Sequence, residues 1–152
     1  MKFYVSYFYK IRFFPKNLVP VSTAVWDPKW YHDFSGNDYV FRDKRDVVNG
    51  LRIPILNSSK IYANECCCND TVGWKYDGSG EYCDFMNKYY EYLKTLPFDK
   101  VIENLKTVNK MVPDADVCLM VIEPTHKPCG ERRPLVKWFG ENGVELVEWK
   151  EG

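Results

Sequence analysis

The side chains best suited to chemistry stand together in one stretch, Glu123-Pro124-Thr125-His126-Lys127-Pro128-Cys129-Gly130-Glu131-Arg132-Arg133-Pro134. A thiol just ahead of a helix ionises more easily than a free cysteine when the helix dipole and neighbouring arginines act on it. The same helix start favours negative charge, and Arg132 and Arg133 offer planar, permanently charged forks to phosphate or carboxylate. Two chemistries follow. In one, the arginines and the helix N-terminus bind a small anion. In the other, Cys129 is a nucleophile, Glu123 or His126 carries the proton, and the arginines stabilise developing charge. Simpler roles stand beside these: a cysteine packed as a small hydrophobe, solvated arginines, an exposed loop histidine, and a salt bridge from Glu123 to Arg132 or Arg133. Cysteine-dependent phosphatases place an arginine six positions after the nucleophile; that position here is Leu135.

A second set of candidates lies upstream. Cys66, Cys68 and Cys83 have the residue type of a structural zinc site, because thiolates in a flexible loop can wrap a tetrahedral ion and staple a segment with little core. Adjacent cysteines diverge, so Cys67 does not join them, and three ligands still require a fourth. Free, partly buried thiols remain the default reading. The chain has no Walker loop, Gly-x-Gly-x-x-Gly turn, zinc-protease helix or Gly-x-Ser-x-Gly elbow, which removes the usual signatures of nucleotide hydrolysis, dinucleotide binding and serine hydrolysis.

The elements that must position these groups are legible from periodicity. Val117–Ile122 is an apolar run suited to a strand buried on both faces. Pro134 suits the first turn of a helix whose buried face is Leu135, Trp138 and Phe139; Asn142-Gly143 supplies a left-handed exit and Val144–Trp149 a last strand, giving a parallel βαβ unit. Lys2–Ile11 alternates as a strand. Val19–Trp26 reads as another, with Pro20 putting its start at an edge or bend. Trp30–Asp38 reads as an aromatic loop that plugs a core or lines a pocket, and Gly50–Leu56 as a short strand. Residues 57–81 form an irregular, cysteine-containing insertion. Tyr82, Phe85, Met86, Tyr89, Leu93 and Leu96 mark a helix stopped by Pro97, and Asp99 is placed to cap a second helix, adjacent to the first, bearing Val101, Ile102, Leu105 and Val108.

A chain of 152 residues, 45% hydrophobic, can build one core, and one domain over residues 1–152 is expected. Lysines and arginines number 21, as do the acidic residues. The uniform positive field of a bulk nucleic-acid binder is therefore absent. Residues 1–62 nevertheless carry 10 basic against 5 acidic groups, a bias that suits an anionic partner or plain surface variation. No membrane span is apparent. Residues 1–14 are interrupted by Ser6, Lys10 and Arg12 and lack a small-residue cleavage site, so a cytoplasmic setting with reduced cysteines is expected.

The hydrophobic strand Leu119–Ile122, the acidic Glu123 and the turn with Cys129 and Arg132 resemble the YeaO-like family (domain of unknown function 488), in a phage-type form with an added cysteine loop. Gly130-Glu131 stands where that family has histidine. The likeness covers the last third of the chain well and implies a layered α/β fold, a host-cytoplasm location if phage-encoded, and no established reaction.

The sequence thus predicts a single three-layer α/β domain, mainly parallel, with a C-terminal βαβ unit. Its leading functional reading is a small-anion or nucleotide-like binding, sequestering module. Arg132, Arg133 and Arg12 would take charge, while Trp26, Trp30, Tyr31 or His32 stack on a flat ring. The alternatives are a thiol-dependent enzyme using Cys129 and a protein-interaction module, including a homo-oligomer whose contact uses the aromatic surface.

Overall fold

The computed structural model describes residues 1–33, 48–63, 83–125, 127 and 129–151. Their apolar alternation resolves into strands β1 (Phe3–Tyr7), β2 (Leu18–Ser22), β3 (Tyr31–Asp33), β4 (Val48–Arg52), β5 (Asp116–Val121) and β6 (Leu146–Glu148). They form one sheet in the order β3-β4-β2-β5-β1-β6, every pairing parallel. Central β5 is enclosed on both sides, which explains its unbroken apolar sequence. Val117, Leu119 and Val121 join Val5, Val19 and Val21 on one face, whereas Cys118 and Met120 enter a smaller cluster on the other.

Helices α1 (Asp84–Lys94), α2 (Phe98–Lys106) and α3 (Arg132–Glu141) all bury their apolar stripes in the first cluster. Phe98 meets Trp138 and Phe139 edge to face, with ring centroids 5.0 and 5.3 Å apart. The opposite face has no α-helical cover among the described residues. A 3₁₀ turn, Phe8–Phe13, closes it with Phe8, Ile11, Phe14 and Tyr31. The result is an α/β domain whose outer layers, among the described residues, differ: three α-helices on one side, a 3₁₀ turn and aromatic rings on the other.

Several expectations are corrected in detail. The strand expected over Lys2–Ile11 stops at Tyr7, because Phe8 and Ile11, three apart, fall on one side of the 3₁₀ turn and are both buried. Pro20 lies inside the central strand β2, not at an edge. The ladder to β4 starts only at Val21, so no N–H is required of Pro20 on that side, and its carbonyl accepts from the Tyr31 hydroxyl (3.1 Å). Tyr31 and His32 belong to edge strand β3, while residues 34–38 of the expected aromatic loop lie outside the described residues. Pro97, not Asp99, occupies the N-cap of α2, its carbonyl accepting from Lys100 and Val101; Asp99 sits in the first turn.

Helix α1 packs against α3, not α2, so neighbours in sequence are not the neighbours in space. Chain order around Val117–Trp149 is as expected, with β1 inserted between the two strands of the βαβ unit. Most of the insertion at 57–81 lies outside the described residues. Among the described residues no helix is long and apolar enough to cross a membrane.

Candidate functional site

In a parallel sheet all strand C-termini share one edge, and ligands collect where neighbouring strands send their connections to opposite faces. Strands β2 and β5 are such neighbours. After β2 the chain passes through Ala24 to the aromatic face; after β5 it passes through Glu123 to α3 on the helical face. The first turn of α3 and the start of α1 meet at this edge, since Cys83 Sγ lies 3.5 Å from Cys129 Sγ.

Arg132 is engaged on every side. Its Nη2 donates to the Glu123 carbonyl (2.8 Å), its Nη1 to the Pro124 carbonyl (3.4 Å), and its Nε pairs with Glu148 on β6. The Glu123 carboxylate accepts the Arg132 backbone N–H (3.1 Å), occupying the start of the helix that an anion would use. Gly130, at φ 153°, lets the loop close over this carboxylate; a Cβ there would overlap it. Burial pushes the pKa values of Glu123 and Glu148 up, and Arg132 opposes the shift in both. Of the simpler roles open to Glu123, an ion pair with Arg132 is present, at 3.9 Å.

Glu131 was not singled out by the sequence as a functional group, yet it is the most enclosed carboxyl at this edge, 8% exposed. It accepts from Ser58 Oγ (2.8 Å) and Thr23 Oγ1 (3.1 Å). Burial lifts its pKa to about 7; the nearby Glu123 charge adds to the rise and the two hydroxyls oppose it. Both carboxyls also act on the buried Tyr89 phenol, whose pKa burial, then Glu131 and then Glu123 raise, and whose hydroxyl donates to the Leu56 carbonyl. Position within the reactive loop was the only available signal for Glu131; Ser58 and Thr23 had none, because Thr23 follows β2 while Ser58 follows the 3₁₀ turn Pro54–Leu56 after β4. A second polar knot was equally invisible: Ser22 Oγ donates to Asp27 (2.5 Å), which pairs with Arg52 (3.0 Å).

The remaining candidates separate. Cys129 is half-buried, and Cys83, the N-cap of α1, accepts the Met86 N–H at 3.4 Å. Arg133 is half-buried with its Nη1 enclosed and without an acceptor among the described residues. Arg12 lies on the 3₁₀ turn, its guanidinium 4.0 Å from the Tyr9 ring centroid and its Nε bonded to the Tyr9 carbonyl. Trp26 is 80% exposed, Trp30 packs edge-on to Phe8, Tyr31 is buried in the second cluster, and His32 is exposed on β3. No hydrogen bond or ion pair among the described residues joins these five to Glu123, Glu131 or Arg132. His126, Cys66 and Cys68 lie outside the described residues, and among those described no three His, Cys, Asp or Glu side chains form a group that could hold a metal.

Comparison of the chain with family models, with curated proteins and with solved structures gives no match. What the site can do is therefore decided by its geometry.

Proposed function

We propose that the chain binds a small anionic, nucleotide-like molecule at the carboxyl edge of its sheet, beside the first turn of α3, with Arg133 as the cation that holds it. The observation that carries this reading is Arg133 Nη1, enclosed and lacking an acceptor among the described residues. A guanidinium N–H withheld from water costs free energy that a bound anionic oxygen restores. The backbone adds a second donor. Glu123 takes the N–H of Arg132, Pro134 has none and Leu135 bonds back to Glu131, which leaves the Arg133 amide, among the described residues, to a ligand.

Arg132 has a different part: it holds the loop in place and is not free to meet an anion. Glu131, half-protonated near neutrality, keeps negative charge at the edge low and offers a hydrogen bond to a polar ligand edge. A sequestering module needs nothing more. Thiol-dependent turnover is the second reading, supported by the half-buried Cys129 at the same helix start. An interaction module is the third, supported by exposed Tyr9, Phe13 and Trp26. Membership of the YeaO-like family and a cytoplasmic location belong to the same proposal and rest on the sequence.

Differential scanning fluorimetry with inorganic phosphate and with adenosine and guanosine monophosphates tests the reading. At least one of these anions raises Tm of the wild type, and Arg133→Ala removes the rise while Cys129→Ser keeps it. An unchanged rise in Arg133→Ala, or no rise with any anion, overturns it. Binding retained with turnover lost in Cys129→Ser would move the protein to the enzyme class.

A further inference from the structure

We propose that Cys83 and Cys129 are a redox pair that closes reversibly into a disulfide joining the start of α1 to the start of α3. The sulfurs are 46 residues apart in sequence and 3.5 Å apart in space, in van der Waals contact. An S–S bond is ~2.05 Å long, so closure draws the two sulfurs together from that contact. Each sulfur also stands at the start of a helix. Cys83 is the N-cap of α1 and receives the Met86 N–H, and Cys129 stands just ahead of α3.

The two sulfurs differ in access, and this assigns their parts. Cys129 is half-buried, whereas Cys83 is 2% exposed. Hydrogen peroxide therefore meets Cys129 first. The Cys129 thiolate attacks one peroxide oxygen, the O–O bond breaks, and the leaving hydroxide takes a proton to become water; the sulfur is oxidised by two electrons to sulfenic acid. The Cys83 thiolate then attacks the Cys129 sulfur and displaces hydroxide, which takes the proton Cys83 released. Two thiols and one peroxide give one disulfide and two waters, and a dithiol reductant reverses the step. The third described cysteine, Cys118, is wholly buried in the second core cluster with its thiol pKa raised by burial, and takes no part.

The closed form ties together two helices that already pack on one another. Cross-linking a loop of this length raises Tm, by on the order of 10 °C. Closure needs no bound anion, so it is read with no ligand present and stands or falls apart from anion binding.

The test is peptide mapping of the intact chain after brief hydrogen peroxide treatment and alkylation of the remaining thiols. The expected product is a Cys83–Cys129 linked peptide that disappears with dithiothreitol, with Cys118 unlinked. Cys83→Ser stops the reaction at a Cys129 sulfenic acid that dimedone traps, and Cys129→Ser gives no link to Cys83. The map of the wild type decides the matter even if a variant fails to fold. Three results overturn the proposal: a wild-type Cys129 that goes on to sulfinic acid without linking, a link from Cys129 to another cysteine, or both thiols protected by a metal ion that a chelator removes.

Discussion

The helix-covered face of the sheet and its carboxyl edge are both enclosed, but by different physics. On the face, Leu93, Leu119, Leu135 and Phe139 are withdrawn from water as apolar area, and each could shift slightly without changing the kind of contact it makes. At the carboxyl edge, by contrast, Glu123, Glu131, Arg132 and Glu148 are withdrawn from water as charged or titrating groups, and each is held by named polar partners. Area tolerates small displacements, whereas a charge in a low-dielectric site does not tolerate losing its partner. The face supplies stability, and the edge converts part of that stability into a fixed arrangement of polar groups.

The largest expected effect tests the first half of this contrast. Phe139→Ala removes a wholly buried ring that meets Phe3, Phe98 and Trp138, and costs about 4 kcal/mol. Urea denaturation should show nearly the same loss at pH 5 and pH 8, because those three ring partners do not titrate. A strongly pH-dependent loss would break the distinction.

Arg132→Ala comes next, at about 3 kcal/mol near pH 8, since it leaves the Glu123 and Glu148 carboxylates buried without their cation. Both carboxyls already have raised pKa values, and removing Arg132 raises them further. The variant is therefore closest to wild type in acid, where both are protonated, and falls behind as pH rises through the carboxylate range. Equal losses at pH 4 and pH 8 would show that Arg132 acts through packing alone.

The smallest effect concerns Glu131. Its pKa is about 7 in the fold against 4.5 for an ordinary glutamate, so the stability associated with its protonated form is fully present below pH 4.5 and is lost as pH rises through 7. Glu131→Gln copies the protonated shape and removes this dependence, stabilising the protein by about 2 kcal/mol at pH 8 and leaving it little changed at pH 4. Thermal melts across that range check it, and a variant less stable than wild type at pH 8 would mean that Ser58 and Thr23 require the charged carboxylate.

How far the sequence could be read follows the same division. The run 117–122 announced a doubly buried strand, and Leu135, Trp138 and Phe139 announced the buried side of α3, because a strand or helix repeats its burial every two or three to four residues. Tyr31 was harder. Its neighbours look like a loop, and only pairing with β4 makes it a strand and turns its ring inward. Within the reactive loop, two adjacent arginines look equivalent, yet Arg132 is bound to Glu148 from the far end of the chain while Arg133 keeps an enclosed nitrogen without an acceptor among the described residues.

What the amino-acid order determined by itself was local: which segments are strands or helices, which side of each is apolar, and that Cys129, Arg132 and Arg133 stand at the start of a helix. Tertiary structure decided which partners those groups meet. Ser58, Thr23, Cys83 and Glu148 come from four separate segments, and only the parallel stacking of strand ends brings them to one edge. Periodicity records how a residue is turned relative to its own element; it holds no record of which distant element arrives opposite, and electrostatic and hydrogen-bond energies depend on that arrival.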